Sequence, residues 1–174
     1  MERGSQKLRY NLAGLFIGVA GFVAVVVYGS IALAAQDALW FVPGFHDAPA
    51  QIIIYKAGAR TVLRPGQPGF AELSSAVMDS LNQGVARQSG IGLSPGSLQD
   101  AYTQFETVEV FFNHPVKLHT PFFSPEATQM LFAISGRHAE LSVAFMGDRG
   151  VYYSNSPALN TIEPIRAALK NLGY

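Results

Sequence analysis

Residues 12 to 35 read LAGLFIGVAGFVAVVVYGSIALAA, 24 positions without a charged side chain. About 20 apolar residues in a helix cover a hydrocarbon layer of roughly 30 Å, so this stretch is long enough to cross a bilayer with some tilt. A buried helix in a water-soluble core is normally shorter and keeps a polar face. Ahead of the stretch lie Arg3, Lys7 and Arg9 against Glu2, and the next basic residue after it is Lys56. Basic residues are retained on the cytoplasmic side, which predicts an inside N-terminus and an outside C-terminus.

Ala32-Leu33-Ala34 matches the small-x-small pattern of a signal-peptidase site, so cleavage after Ala34 is the competing reading. The apolar run is longer than the about 7 to 15 residues of a signal-peptide core, which favours a retained signal anchor. The expected division is a cytoplasmic tail (1–11), a transmembrane helix (12–35), a juxtamembrane linker (36–48) and an extracytoplasmic domain (49–174). Tyr28, Trp40, Phe41 and Phe45 suit an interfacial aromatic belt or packing on the domain, and Pro43-Gly44 marks a break before the folded part. Gly14 and Gly18 form a GxxxG pair, with Gly21 near the same side, which permits docking of the helix on another helix or on a second copy.

Setting the span aside leaves about 130 residues, enough for one domain with a core. Lys plus Arg and Asp plus Glu total 12 each, and from residue 36 onward 9 basic residues face 11 acidic ones. Binding to nucleic acid by charge neutralisation is therefore not expected. The absence of cysteine excludes disulfides and thiolate chemistry, and in an exported domain it leans toward a bacterial envelope.

Within the domain, QIIIY (51–55) and RTVL (60–63) predict a hairpin around Lys56 to Ala59, and Pro65-Gly66-Gln67-Pro68-Gly69 predicts a turn. Phe70, Leu73, Val77, Leu81 and Val85 recur at helical spacing, predicting a helix that ends near Gly84 to Gln88. SGIGLSPG (89–96) reads as a loop and Ser97 as the cap of a short helix to about Gln104. ETVEVFF (106–112) alternates, with Val108, Val110 and Phe112 on one face and Thr107, Glu109 and Phe111 on the other. Pro115, Pro121 and Pro125 make the segment after Asn113 an extended excursion.

TQMLFAI (128–134) is an apolar run, Leu141, Val143 and Phe145 alternate as a strand, and Gly147 to Gly150 turns into Val151-Tyr152-Tyr153. Ile162, Ile165, Leu169 and Leu172 predict a closing helix, with Pro164 in its first turn and Gly173 just past its end. The order β-β-α-α-β-β-β-β-α with short links predicts an α+β class: a mainly antiparallel sheet with helices packed on one face.

The candidates for chemistry are sparse. His114 and His119 are five apart across a proline, and neither HExxH nor another paired metal spacing occurs, so no metal and no cofactor is expected. The catalytic candidates are His114 or His119 with Glu109, or with Asp100, which would suit a hydrolase of the cell envelope. No GxSxG or SxxK serine signature accompanies them. Phe111, Phe112, Phe122 and Phe123 flank the proline-rich excursion and would form an apolar patch for a protein partner if exposed, or part of the core if not. The leading expectation is a non-catalytic binding or accessory domain tethered by one helix. The alternatives are the hydrolase and an exported ligand-sensing domain that would signal through another chain.

Overall fold

The computed structural model describes residues 3–42 and 44–174, with side chains described from Leu12 onward. Pro43 and Glu2, and the side chains of Arg3, Lys7 and Arg9, lie outside the described residues. Helix α1 (Arg3–Ala35) contains the apolar stretch Leu12–Ala35, which is exposed along most of its length, buried only at Ala35, and long and apolar enough to cross a membrane. It ends in a Schellman turn. The Asp37 N–H bonds the carbonyl of Ala32 and the Gln36 N–H that of Leu33, while Gln36 takes a left-handed φ of 51°.

The domain is α+β with a mainly antiparallel sheet. Strands β1 (Gln51–Lys56) and β2 (Ala59–Leu63) meet in a two-residue turn, Ala57 and Gly58, whose φ angles of 48° and 85° match the twist of the paired strands. Next come α2 (Phe70–Asn82), β3 (Val85–Gln88), α3 (Pro95–Thr103), β4 (Glu106–Val116) and β5 (Ala127–Ala133). A 3-10 turn at Ala139–Leu141 precedes β6 (Ala144–Asp148), β7 (Val151–Tyr152), β8 (Pro157–Leu159) and α4 (Glu163–Asn171). The six-stranded sheet has the order β2-β1-β4-β5-β6-β7, and β3 pairs with β8 in a separate ribbon.

Alternation along the central strands sorts their side chains into two buried layers. Ile52, Ile54, Val108, Val110, Phe112, Met130, Phe132 and Met146 face α2 and α4, where Leu73, Val77, Ile165 and Leu169 complete the larger core. Each such side chain contributes about 1.5–3 kcal/mol by leaving water. On the opposite face Leu131 and Phe145 pack with Val143, Tyr152 and Ala158, and with Leu93, Leu98 and Tyr102 from α3 and the loop before it. Helices therefore cover both faces, not one as expected. Thr107, placed by the alternation on the face away from Val108 and Val110, and Leu131 beside it need a cover, and α3 supplies it.

Other differences are local. Helix α2 stops at Asn82 because Gly84 takes a left-handed φ of 91°, which frees Val85–Gln88 to pair with β8. Ser94, not Ser97, caps α3: its Oγ accepts the Ser97 N–H at 3.1 Å, and Pro95 occupies the first helical position. Strand β4 runs on to Val116 through Pro115, whose missing N–H falls where pairing with β5 is interrupted between Phe111 and Val116. The alternating Leu141-Val143-Phe145 begins as a 3-10 turn, with Ser142 at a φ of 49°, and only from Ala144 joins the sheet. Pro164 and Gly173 stand where the sequence places them, in the first turn of α4 and in a left-handed conformation (φ 87°) after it.

Candidate functional site

Glu109 sits mid-strand in β4, directly opposite Ile53 of β1 and Leu131 of β5, and is 3 % exposed. A carboxylate between two apolar side chains is costly unless it is hydrogen-bonded. Three phenols meet that need. Tyr102 of α3 and Tyr152 of β7 donate to Oε1, the former at 3.0 Å, and Tyr55 of β1 donates to Oε2 at 3.1 Å. Burial first, and the Glu109 charge second, push the phenol pKa values of Tyr55, Tyr102 and Tyr152 upward, so all three stay protonated donors. Tyr152 reaches inward over Gly147, where a Cβ would lie 3.0 Å from its ring and would clash with the Val151 carbonyl.

Beside this cluster, between α3 and the ends of β4 and β5, lies a cavity of about 50 Å³. Its walls include the apolar side chains Leu93, Phe105 and Leu131 and the polar ones Asp100, Arg137 and His138. Phe105 rests on Gly136, which has a φ of 84° and no room for a side chain, since a Cβ would meet the ring at 2.5 Å. His138 packs edge-on to Phe145 at 5.6 Å between centroids, and its Nε2 is buried without a hydrogen-bond partner. Burial, reinforced by the Arg137 charge, lowers the His138 pKa and favours the neutral ring.

A second constellation joins the end of α1 to the domain. Lys117 Nζ donates to the Gln36 carbonyl at 2.7 Å, and His119 Nδ1 lies 2.7 Å from Asp37 Oδ2. Burial would raise the Asp37 pKa, but bonds from His119 and the Leu39 N–H, with the charges of His119 and Lys117, outweigh it and hold the pKa below 3.8. The Asn82 amide bonds both the N–H and the C=O of Phe45, and Tyr28 donates to the Ala38 carbonyl at 2.8 Å. Trp40, Phe45, Leu118 and His119 line a cavity of about 170 Å³ within this junction.

The sequence candidates are thus dispersed. His114 is exposed and lies 3.5 Å from Asp47, His119 pairs with Asp37, and Glu109 bonds only tyrosines, so no hydrogen bond links either histidine to Glu109 or Asp100. Among the described residues no group of three or more His, Asp or Glu is arranged to hold a metal ion. The four phenylalanines do not form one patch. Phe112 is buried against Phe45 at 5.6 Å because it shares the core face of β4 with Val108 and Val110, Phe111 and Phe122 are half-buried, and only Phe123 is exposed, at 42 %. Gly14 and Gly18 lie on the open surface of α1, where an added Cβ meets nothing within 4 Å.

Sequence reasoning passed over the tyrosine cluster, His138 and the Asp37–His119 pair. One signal for the first was present: a glutamate in the middle of an apolar strand needs partners if that strand proves central. Compared with protein-family models, with curated proteins and with solved structures, the chain matches none.

Proposed function

We propose that the chain is a non-catalytic binding or accessory domain, held on the outer face of a membrane by Leu12–Ala35, with its N-terminus on the cytoplasmic side. The observation that carries this reading is the junction between α1 and the domain. Bonds from Lys117, His119 and Asn82 fasten the residues that follow the apolar helix directly to the domain. A catalytic domain on a tether gains from reach, whereas a docking or accessory domain gains from a fixed pose toward its neighbours in the membrane. The flanking charges, three basic residues before the span and none after it until Lys56, support the orientation.

The test is carbonate-resistant membrane fractionation, protease protection of a C-terminal tag, and crosslinking in native membranes. Membrane retention, an outward tag and a specific adduct are expected. A freely soluble chain, or an isolated monomer without any adduct, would overturn the reading.

An envelope hydrolase is a second reading, favoured by one observation: His119, oriented by Asp37, borders the junction cavity. Hydrolysis of an ester substrate that is abolished in His119→Ala, with the fold retained, would establish it. Activity unchanged by that substitution would remove it.

A further inference from the structure

We propose that the cavity between α3 and the sheet binds a small zwitterion, an α-amino acid with a short side chain, its carboxylate on Arg137 and His138 and its ammonium on Asp100. This deepens the binding reading above and rests on it. The walls divide by charge: Asp100 comes from α3, whereas Arg137 and His138 come from the turn that follows β5. Among the described residues neither Asp100 nor Arg137 belongs to an ion pair. Asp100 Oδ1 accepts from Gln104 Nε2 at 3.0 Å, which leaves Oδ2 available to an ammonium.

The strongest indication is His138 Nε2, buried with no partner. An unsatisfied buried polar atom costs about 1–3 kcal/mol, and His138 lines the cavity, so a small turn of its ring toward a ligand carboxylate would recover that cost. A neutral ring with Nε2 protonated donates to a carboxylate, and the adjacent guanidinium supplies the charge. Opposite signs on the two walls disfavour a simple anion, which Asp100 would repel, and a simple cation, which Arg137 would repel. A zwitterion satisfies both, and Leu93, Phe105 and Leu131 offer its side chain an apolar surface.

Size sets the class. One water occupies about 10–15 Å³ on this measure, so 50 Å³ holds roughly three to five waters. Glycine, alanine and serine suit that space with its mouth, and aromatic amino acids exceed it.

The experiment is calorimetric titration of the full chain in detergent micelles with L-alanine, N-acetyl-L-alanine, L-alaninamide and L-phenylalanine. Binding of L-alanine at one site per chain is expected, and each of the other three should be weaker by roughly tenfold or more, the loss of one charge-assisted bond or of the fit. Asp100→Asn and Arg137→Gln change exposed or half-exposed groups and should leave the circular dichroism unchanged while weakening L-alanine by a similar factor. The His138 ring resonances should shift on addition of L-alanine. No heat from L-alanine in the millimolar range, equal binding of the blocked analogues, or full affinity in both variants would overturn the proposal. A partner crosslink that persists when L-alanine gives no heat removes this inference and leaves the accessory reading standing. Binding of L-alanine without any adduct supports this site and narrows the reading above to ligand binding, without an accessory role.

Discussion

Raising the pH above about 10 should destabilise the domain through the phenols around Glu109, because an unfolded tyrosine ionises there. In the fold, Tyr55, Tyr102 and Tyr152 are held protonated to higher pH by burial and by the Glu109 charge. Above pH about 10 the unfolded chain therefore binds fewer protons than the native one, so stability falls as pH rises. Each phenol contributes a slope of about 1.4 kcal/mol per pH unit until pH reaches its own folded value, so the three together begin at roughly 4 and the slope lessens once Tyr55 ionises in the fold. A domain stabilised by about 5–10 kcal/mol would then unfold between about pH 11 and 13. Tyr152→Phe provides the discriminating variant. It removes a hydrogen bond to a charged group, costing about 1.5–3 kcal/mol near pH 8, yet it also removes one third of the alkaline slope. The two stability curves should therefore converge as pH rises. Urea titrations followed by far-ultraviolet circular dichroism in micelles, with tyrosinate absorbance recorded in parallel, measure both quantities. Parallel curves for the parent and Tyr152→Phe would refute the reasoning. So would ionisation of all 7 tyrosines near pH 10 with the ellipticity unchanged.

Gly136→Ala should cost about 2 kcal/mol or more, since it combines a left-handed φ with a collision against the Phe105 ring, and the shift of the urea midpoint reads it. Phe112→Ala should cost about 3–5 kcal/mol as a core truncation, whereas Phe123→Ser should stay within about 1 kcal/mol; the same titration compares them, and equal losses would contradict the assigned burial. His119→Ala should expose residues 36–42 to limited proteolysis at neutral pH. In the parent chain the Asp37 contribution is fully present above its ordinary value of 3.8 and is lost as pH falls through the lower folded value, so linker cleavage by an acid-active protease should rise only below about pH 4.

The parts of the fold that were legible are those decided within a few residues. Ala57-Gly58 and Arg149-Gly150 announce their hairpins because both residues of each turn need positive φ. The stripes Phe70-Leu73-Val77-Leu81 and Ile165-Leu169 announce their helices by spacing alone. The ribbon of β3 and β8 was not legible, since VARQ has no alternation and its partner is the short Pro157–Leu159 far along the chain. That both faces of β4 are buried was hidden for a related reason: Thr107 and Glu109 read as solvent positions until α3 is known to lie over them. The site residues fared less well than the elements. His114, His119 and Glu109 were chosen for their chemistry, but their partners Asp47, Asp37 and three tyrosines come from other segments, which spacing does not report.

The junction at the end of α1 also orders the birth of the molecule. Gln36 and Asp37 find their partners 81 and 82 residues later, at Lys117 and His119, and Phe45 finds Asn82 after 37. At about 5–20 residues per second, a ribosome takes roughly 4–16 s to produce those 82 residues. During that interval the nascent helix carries an unfastened leash, and the bonds from Lys117 and His119 can close only once both residues have been made.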